Sequence, residues 1–201
     1  MTLKEKAKSK GKNLLIEQVL IDTTGKNIEY FDKPKLVEAS SGKKYEALGI
    51  IRDFVITKTD ELNLNERVYP FDEVYKPGMK ELVEGGYILE NHMEEPDFGK
   101  VAAVAHNFRG NREKREILMD VYIIEEKVIK MLKAGAKFVG ASIVGFGELE
   151  ESVNGKKVFD YEYDKLHPFD FVLNPSAGTY ACMESLEVLQ NSNDKIHESQ
   201  T

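Results

Sequence analysis

The sequence predicts a single, mainly β domain with a few short helices packed outside a sheet or barrel. Three observations lead there. Runs rich in branched and aromatic residues, bounded by turn residues, recur along most of the chain, as at Tyr45–Thr57 and Ile117–Ile124. Apolar residues at helical spacing are confined to short stretches, of which Glu125–Ala134 is the clearest. The 201 residues suffice for one substantial core and crowd a second.

Taken in order, Met1–Lys12 carries five lysines against one glutamate and reads as a solvated basic arm, or as a basic tail that docks on an acidic partner. Leu14–Ile21 is predicted as a strand, followed by a polar stretch with a turn signal at Thr24–Gly25. Tyr45–Thr57 is a strong strand, Asn63–Pro70 a polar loop, and Pro77–Val83 a short helix ended by Gly85–Gly86. Gly86–His92 is strand-like. Gly99–Phe108 and Ile117–Ile124 read as two strands joined by the charged segment Arg109–Glu116. A helix over Arg112–Leu132 is the rival reading; the Val, Ile and Tyr content favours strand, with helix starting near Glu125 and ending at Gly135. Phe138–Phe146 reads as a buried strand, Val158–Tyr163 and Phe169–Leu173 as the last strands, and Leu186–Leu189 as part of a terminal helix. The expected organisation is an arm over 1–12, a domain over 13–189 and a polar tail over 190–201.

Composition narrows the function. A net charge of −7 argues against a general nucleic-acid binder, because phosphate contacts need clustered Lys and Arg. Cys182 is the only cysteine, so no intrachain disulfide forms, in keeping with a reducing compartment. No long apolar run resembles a signal peptide or a membrane span. His92, His106, His167 and His197 share no metal-ligand spacing, and dinucleotide and P-loop patterns are absent, so neither metal nor cofactor is expected. Glu94, Glu95 and Asp97 form an acidic loop that nothing else ties to glycosidase chemistry.

Acyl transfer fits better. Ser142, inside the glycine-rich run Gly140–Gly147, is a candidate nucleophile, although the segment lacks the G-x-S-x-G elbow. Its glycines would let a substrate backbone or an oxyanion come close. His92, at the end of an apolar run, is the candidate general base and acid. Asp170, set between Phe169 and Phe171, needs a partner if buried, and an imidazole would serve. His167 competes with Asp170 for the role of orienting the base.

Over Tyr45–Ala177 the chain resembles the phage prohead proteases, the capsid-maturation serine proteases related to herpesvirus assemblin. The resemblance lies in NLNERVYP at Asn63–Pro70, ENH at Glu90–His92 followed by a Gly-Lys-Val strand, GASIVGFG at Gly140–Gly147, and FDFVLNPSA at Phe169–Ala177. It implies an antiparallel β-barrel-like core surrounded by short helices. It implies a serine endopeptidase that cuts scaffold and major capsid proteins after glutamate, inside the assembling prohead in the host cytoplasm, and that cuts itself. Homo-oligomer formation is compatible with this reading; direct binding of nucleic acid or membrane is not expected. By motif the base falls on His92, the nucleophile on Ser142 and the third member on Asp170, with His167 as the alternative that herpesvirus relatives suggest. Many relatives resemble Ser-Ser-Arg-Gly where this chain has Ser142-Ile143-Val144-Gly145, so backbone donors of Ile143, Val144 and Gly145, or the side chains of Arg109 or Arg112, must serve the oxyanion. Glu38, in Leu36–Ala39, is the expected self-cleavage point, with Leu82–Gly85 and Leu149–Ser152 as further matching strings. The rival reading is a catalytically silent capsid-assembly or scaffold protein of the same fold.

Overall fold

The computed structural model of the chain describes residues 2–22, 27–63, 65–90, 99–134, 138–153, 155–165 and 167–172. The predicted terminal helix, the polar tail and Cys182 lie outside them. Ten strands among the described residues form one sheet. They are β1 (Asn13–Asp22), β2 (Ile28–Glu38), β3 (Lys44–Lys58), β4 (Arg67–Val68), β5 (Tyr87–Glu90), β6 (Val101–Asn111), β7 (Glu116–Ile123), β8 (Phe138–Ser152), β9 (Gly155–Tyr163) and β10 (Phe169–Val172). Four short helices among the described residues accompany them: α1 (Leu3–Lys10), α2 (Phe71–Val74), α3 (Met79–Val83) and α4 (Glu126–Lys133).

The expected barrel does not form. The strand order is β2-β3-β7-β6-β5-β10-β8-β9-β4, with β1 paired to β8 off that path. Closure would require the two terminal strands to pair. β4 has two residues and adds in parallel to β9, while β2 carries Pro34 and a mostly exposed surface. Neither is suited to close a ladder. The architecture is a mixed α/β fold on one large open sheet.

Several elements differ from expectation for visible reasons. The basic N-terminal segment is folded, with an exposed lysine face and a buried apolar one. Thr2 caps α1 in a capping box with Glu5, and Gly11 ends it in the left-handed conformation. Leu3 and Ala7, one turn apart, bury against Val144 and Phe146 of β8. Three of its lysines meet acidic residues of β9 and the residue just after it: Lys6 pairs with Asp164 at 2.7 Å, Lys10 with Glu162 at 2.6 Å and Lys12 with Asp160 at 2.7 Å. The acidic partner of the basic tail is thus the chain itself. The polar stretch after β1 contains β2, whose exposed pattern hides it from apolar alternation. A hairpin of β6 and β7, turning at 112–115, excludes the rival helix over Arg112–Leu132.

The main core joins Ile51, Phe54 and Ile56 of β3 to Ile117, Met119 and Val121 of β7, Ile143 of β8, and Phe169 and Phe171 of β10. Burying each such side chain contributes about 1.5–3 kcal/mol. The segment Asn63–Pro70 is a built turn rather than a free loop. Asn63 Oδ1 accepts from the N–H groups of Asn65 and Arg67, both at 2.9 Å, and the buried Tyr69 meets Tyr161 edge-on at 5.6 Å.

Candidate active site

β8 positions the candidate nucleophile. Its first ten residues pair with β1 along one edge. The other edge is shared: β10 pairs with Gly140–Ile143, and β9 takes over from Gly145. Between them Val144 donates its N–H to Pro168 O and accepts from the N–H of Asp164, both at 2.9 Å. Strand alternation then sends Ile143, Phe169 and Phe171 into the main core, and Ser142 to the other face with Val144 and Phe146.

On that face Ser142 stands directly opposite Asp170. Direct antiparallel partners hold their Cβ atoms about 4.5–5.5 Å apart. Asp170 Oδ1 is bonded by His167 Nε2. The other ring nitrogen, Nδ1, is buried and has no hydrogen-bond partner among the described residues. Ser142, His167 and Asp170 are all 0% exposed. The Ser142 hydroxyl lies 3.4 Å from its neighbour's carbonyl, Ile143 O, a long and weak bond.

The two rivals for the third place are therefore partners in one cluster. Beyond its two backbone bonds to Val144, the connection between β9 and β10 is held by side chains and packing. Asp164 Oδ1 accepts the backbone N–H of His167 at 3.0 Å, and Asp164 Oδ2 takes Lys6. Pro168 packs on Gly86, where a Cβ would come within 2.6 Å of its ring. Asp164, Lys6 and Gly86 were not anticipated. The regular spacing Asp164, His167, Asp170 is the signal that points to the first, since an acid three residues ahead can cap a backbone N–H.

His92 lies outside the described residues. β5, which leads to it, runs parallel to β10 with Leu89 opposite Asp170, and ends at Glu90, two residues earlier. Ser142, Asp170 and Leu89 thus lie in one line across three strands, which continues to Val101 of β6.

The other expected site residues are placed elsewhere or engaged. Arg109 lies eight residues along β6 from Val101, roughly 26 Å at strand rise. There it pairs with Asp53 and with Asp120 at 3.0 Å. Arg112, in the following turn, pairs with Asp72 at 2.5 Å and lies over the Phe71 ring. Neither guanidinium accompanies Ser142. The Val144 N–H is committed to Pro168, whereas pleat alternation turns the backbone groups of Ile143 and Gly145 toward β1. Gly145 and Gly147 make room for packing: a Cβ on Gly145 would meet Tyr161 Oη at 2.4 Å, and one on Gly147 would meet Leu15 at 3.0 Å. Glu38 ends β2, its carbonyl bonded by His106 Nε2 at 3.0 Å, and Ala39 beyond it is buried.

A buried imidazole–carboxylate pair directly across the sheet from a serine can orient and polarise a base. No family model and no curated protein matches the chain. Among solved structures, that of the bacteriophage T4 capsid assembly protease, gp21, matches with 17% identity and a TM-score of 0.52, over 79% of this chain and 99% of that one. The chain shares the fold of a phage capsid assembly protease.

Proposed function

We propose that the chain is a serine endopeptidase that processes scaffold and capsid proteins during prohead maturation, within the assembling particle in the host cytoplasm. The observation that carries this reading is the cross-strand register, which sets Asp170 and its partner His167 against Ser142 on that fold.

In this reading Ser142 Oγ attacks the substrate carbonyl carbon while His92 takes the hydroxyl proton. Asp170 orients His92 and stabilises its charged form, and His167 holds Asp170 in place. Of the three expected backbone donors, the Val144 N–H is taken by Pro168 O, and those of Ile143 and Gly145 face the β1 ladder, so they would serve an oxyanion only with β1 displaced. The C–N bond breaks and the departing amine takes the proton from His92. Water then attacks the acyl ester, giving one proton to His92, which returns it to Ser142 Oγ. Cleavage after glutamate, including at Glu38 of another copy, follows from the family resemblance.

The complete burial of Ser142 favours a second reading, a silent assembly protein of the same fold. Digestion of a peptide library by wild type and Ser142→Ala separates the two. Cuts made by wild type alone, enriched after glutamate, support the endopeptidase. Identical silence of both, from folded protein that has been freed of residues 1–22, supports the assembly protein.

A further inference from the structure

We infer that the β1 edge of β8 is a binding site for an extended peptide, and that the chain's own α1–β1 segment occupies it, keeping the molecule latent. The inference rests on the endopeptidase reading and adds to it where the substrate lies and what must leave first.

Register is the first observation. Among the described strands β1 pairs with β8 alone, in an unbroken antiparallel ladder from Asn13 opposite Gly147 to Asp22 opposite Phe138. Gln18 stands directly across from Ser142 and Glu17 across from Ile143. A peptide that adds to a strand edge takes its affinity from the main-chain groups of that edge. Here those are the N–H and C=O groups of Ile143 and Gly145, which face β1 because Val144 spends its own on the opposite edge. The backbone around Gln18 thus lies where a scissile segment beside Ser142 would lie.

Closure is the second. With this segment in place Ser142 is 0% exposed, and a peptide carbonyl has no approach to it. α1 seals the same face through Leu3 and Ala7 on Val144 and Phe146, two and four residues from Ser142.

Linkage is the third. Lys6 of α1 pairs with Asp164, which caps the backbone of His167, whose ring holds Asp170. Seating of the N-terminal segment is therefore felt at the His167–Asp170 pair. The segment is also separable in kind. An eight-residue helix is marginal alone, and Lys10 and Lys12 hold it through partly exposed ion pairs that salt and charge reversal weaken.

The test inserts a recognition sequence for a site-specific protease between Asp22 and Asn27, purifies the intact folded chain, and then cuts it. Lys10→Glu and Lys12→Glu, which set like charge against Glu162 and Asp160, help residues 1–22 to leave. Circular dichroism and intact mass confirm a folded remainder free of the segment. A fluorophosphonate probe then reports Ser142 reactivity, and a fluorescent peptide of residues 13–22 reports the open edge in a Ser142→Ala background. The expected result is labelling faster by about tenfold or more after release, the factor for an open form that rises from a tenth of the molecules to all of them. The added peptide should bind the cut protein, not the uncut one, and suppress labelling.

Equal labelling before and after release, or failure of the peptide to bind, overturns the inference. Should the remainder unfold on losing the buried Leu15, the uncut Lys10→Glu/Lys12→Glu chain is compared with wild type, and equal labelling rates again overturn it. Peptide binding to the Ser142→Ala protein, with no labelling or hydrolysis by the released wild type, keeps the edge site and removes the endopeptidase. Full hydrolysis by the uncut chain keeps the endopeptidase and removes the latency.

Discussion

Replacing Asp170 separates a structural carboxylate from a functional one. The side chain is fully buried, bonded to His167 and opposed to Ser142. Truncation to Ala leaves His167 in the interior with neither ring nitrogen bonded to a described residue, since Nδ1 has no such partner already. Removing one member of a buried pair costs about 3–5 kcal/mol, a large share of the roughly 5–15 kcal/mol that holds a domain together. Asp170→Asn keeps the shape and an acceptor oxygen, so its cost is that of a charge-assisted hydrogen bond, about 1.5–3 kcal/mol. The catalytic consequence runs the other way. In a serine triad the amide leaves the geometry intact yet stabilises the wrong tautomer, and kcat falls about 10⁴-fold. Urea unfolding gives the first quantity, with an unchanged m-value as the check on comparability. Hydrolysis of a glutamyl peptide gives the second. A folded Asp170→Asn chain with kcat/KM within about tenfold of wild type would refute the orienting role. If His167→Gln instead brings the large loss while Asp170→Asn does not, His167 takes the third place. An Asp170→Ala chain as stable as wild type would refute the premise that this buried pair stabilises the fold.

Two further outcomes follow from packing and charge. Burial pushes the Asp120 carboxyl up, but hydrogen bonds from Asn107, the Asp53 N–H and Arg109 outweigh it and hold the group below the usual carboxylate range. A depressed folded value contributes stability above the unfolded value, near 3.9, and that stability is lost as pH falls through the folded one. Asp120→Asn should therefore flatten the acid limb of stability below about pH 4, measured as urea midpoint against pH. Gly145→Ala places a methyl 2.4 Å from Tyr161 Oη and 2.6 Å from Glu162 O, so overpacking should cost about 1–3 kcal/mol in thermal or urea unfolding. An unchanged midpoint would show that Tyr161 moves aside freely.

The strands that bury apolar side chains were legible: β1, β3, β6, β7 and β10 fall where branched and aromatic runs put them. β2 was not, because an edge strand with Pro34 and an exposed surface has no apolar alternation to read. α1 escaped because lysines dominate its composition, although Thr2, Glu5 and Gly11 form the capping pattern that marks both of its ends. Sheet closure depends on which edges meet, a property of the whole chain that no local run encodes. At the site, Ser142 and Asp170 stand out as polar residues in apolar runs, and the ladder sets them face to face. The glycines near Ser142 suggested close approach by a ligand; two of them answer to Tyr161 and Leu15 instead, a distinction that only packing makes.

The bond after Glu38 is pinned on both sides. His106 holds the carbonyl, Ala39 donates to Lys43 O, and Ser40 donates to Gly85 O, with β5 and β10 standing between that corner and β8. A folded chain therefore cannot bring its own Glu38 to its own Ser142. Any self-processing there is a meeting of two molecules, one of them locally opened, so its initial rate should rise with the square of protein concentration. Such a reaction stalls on dilution and accelerates under confinement.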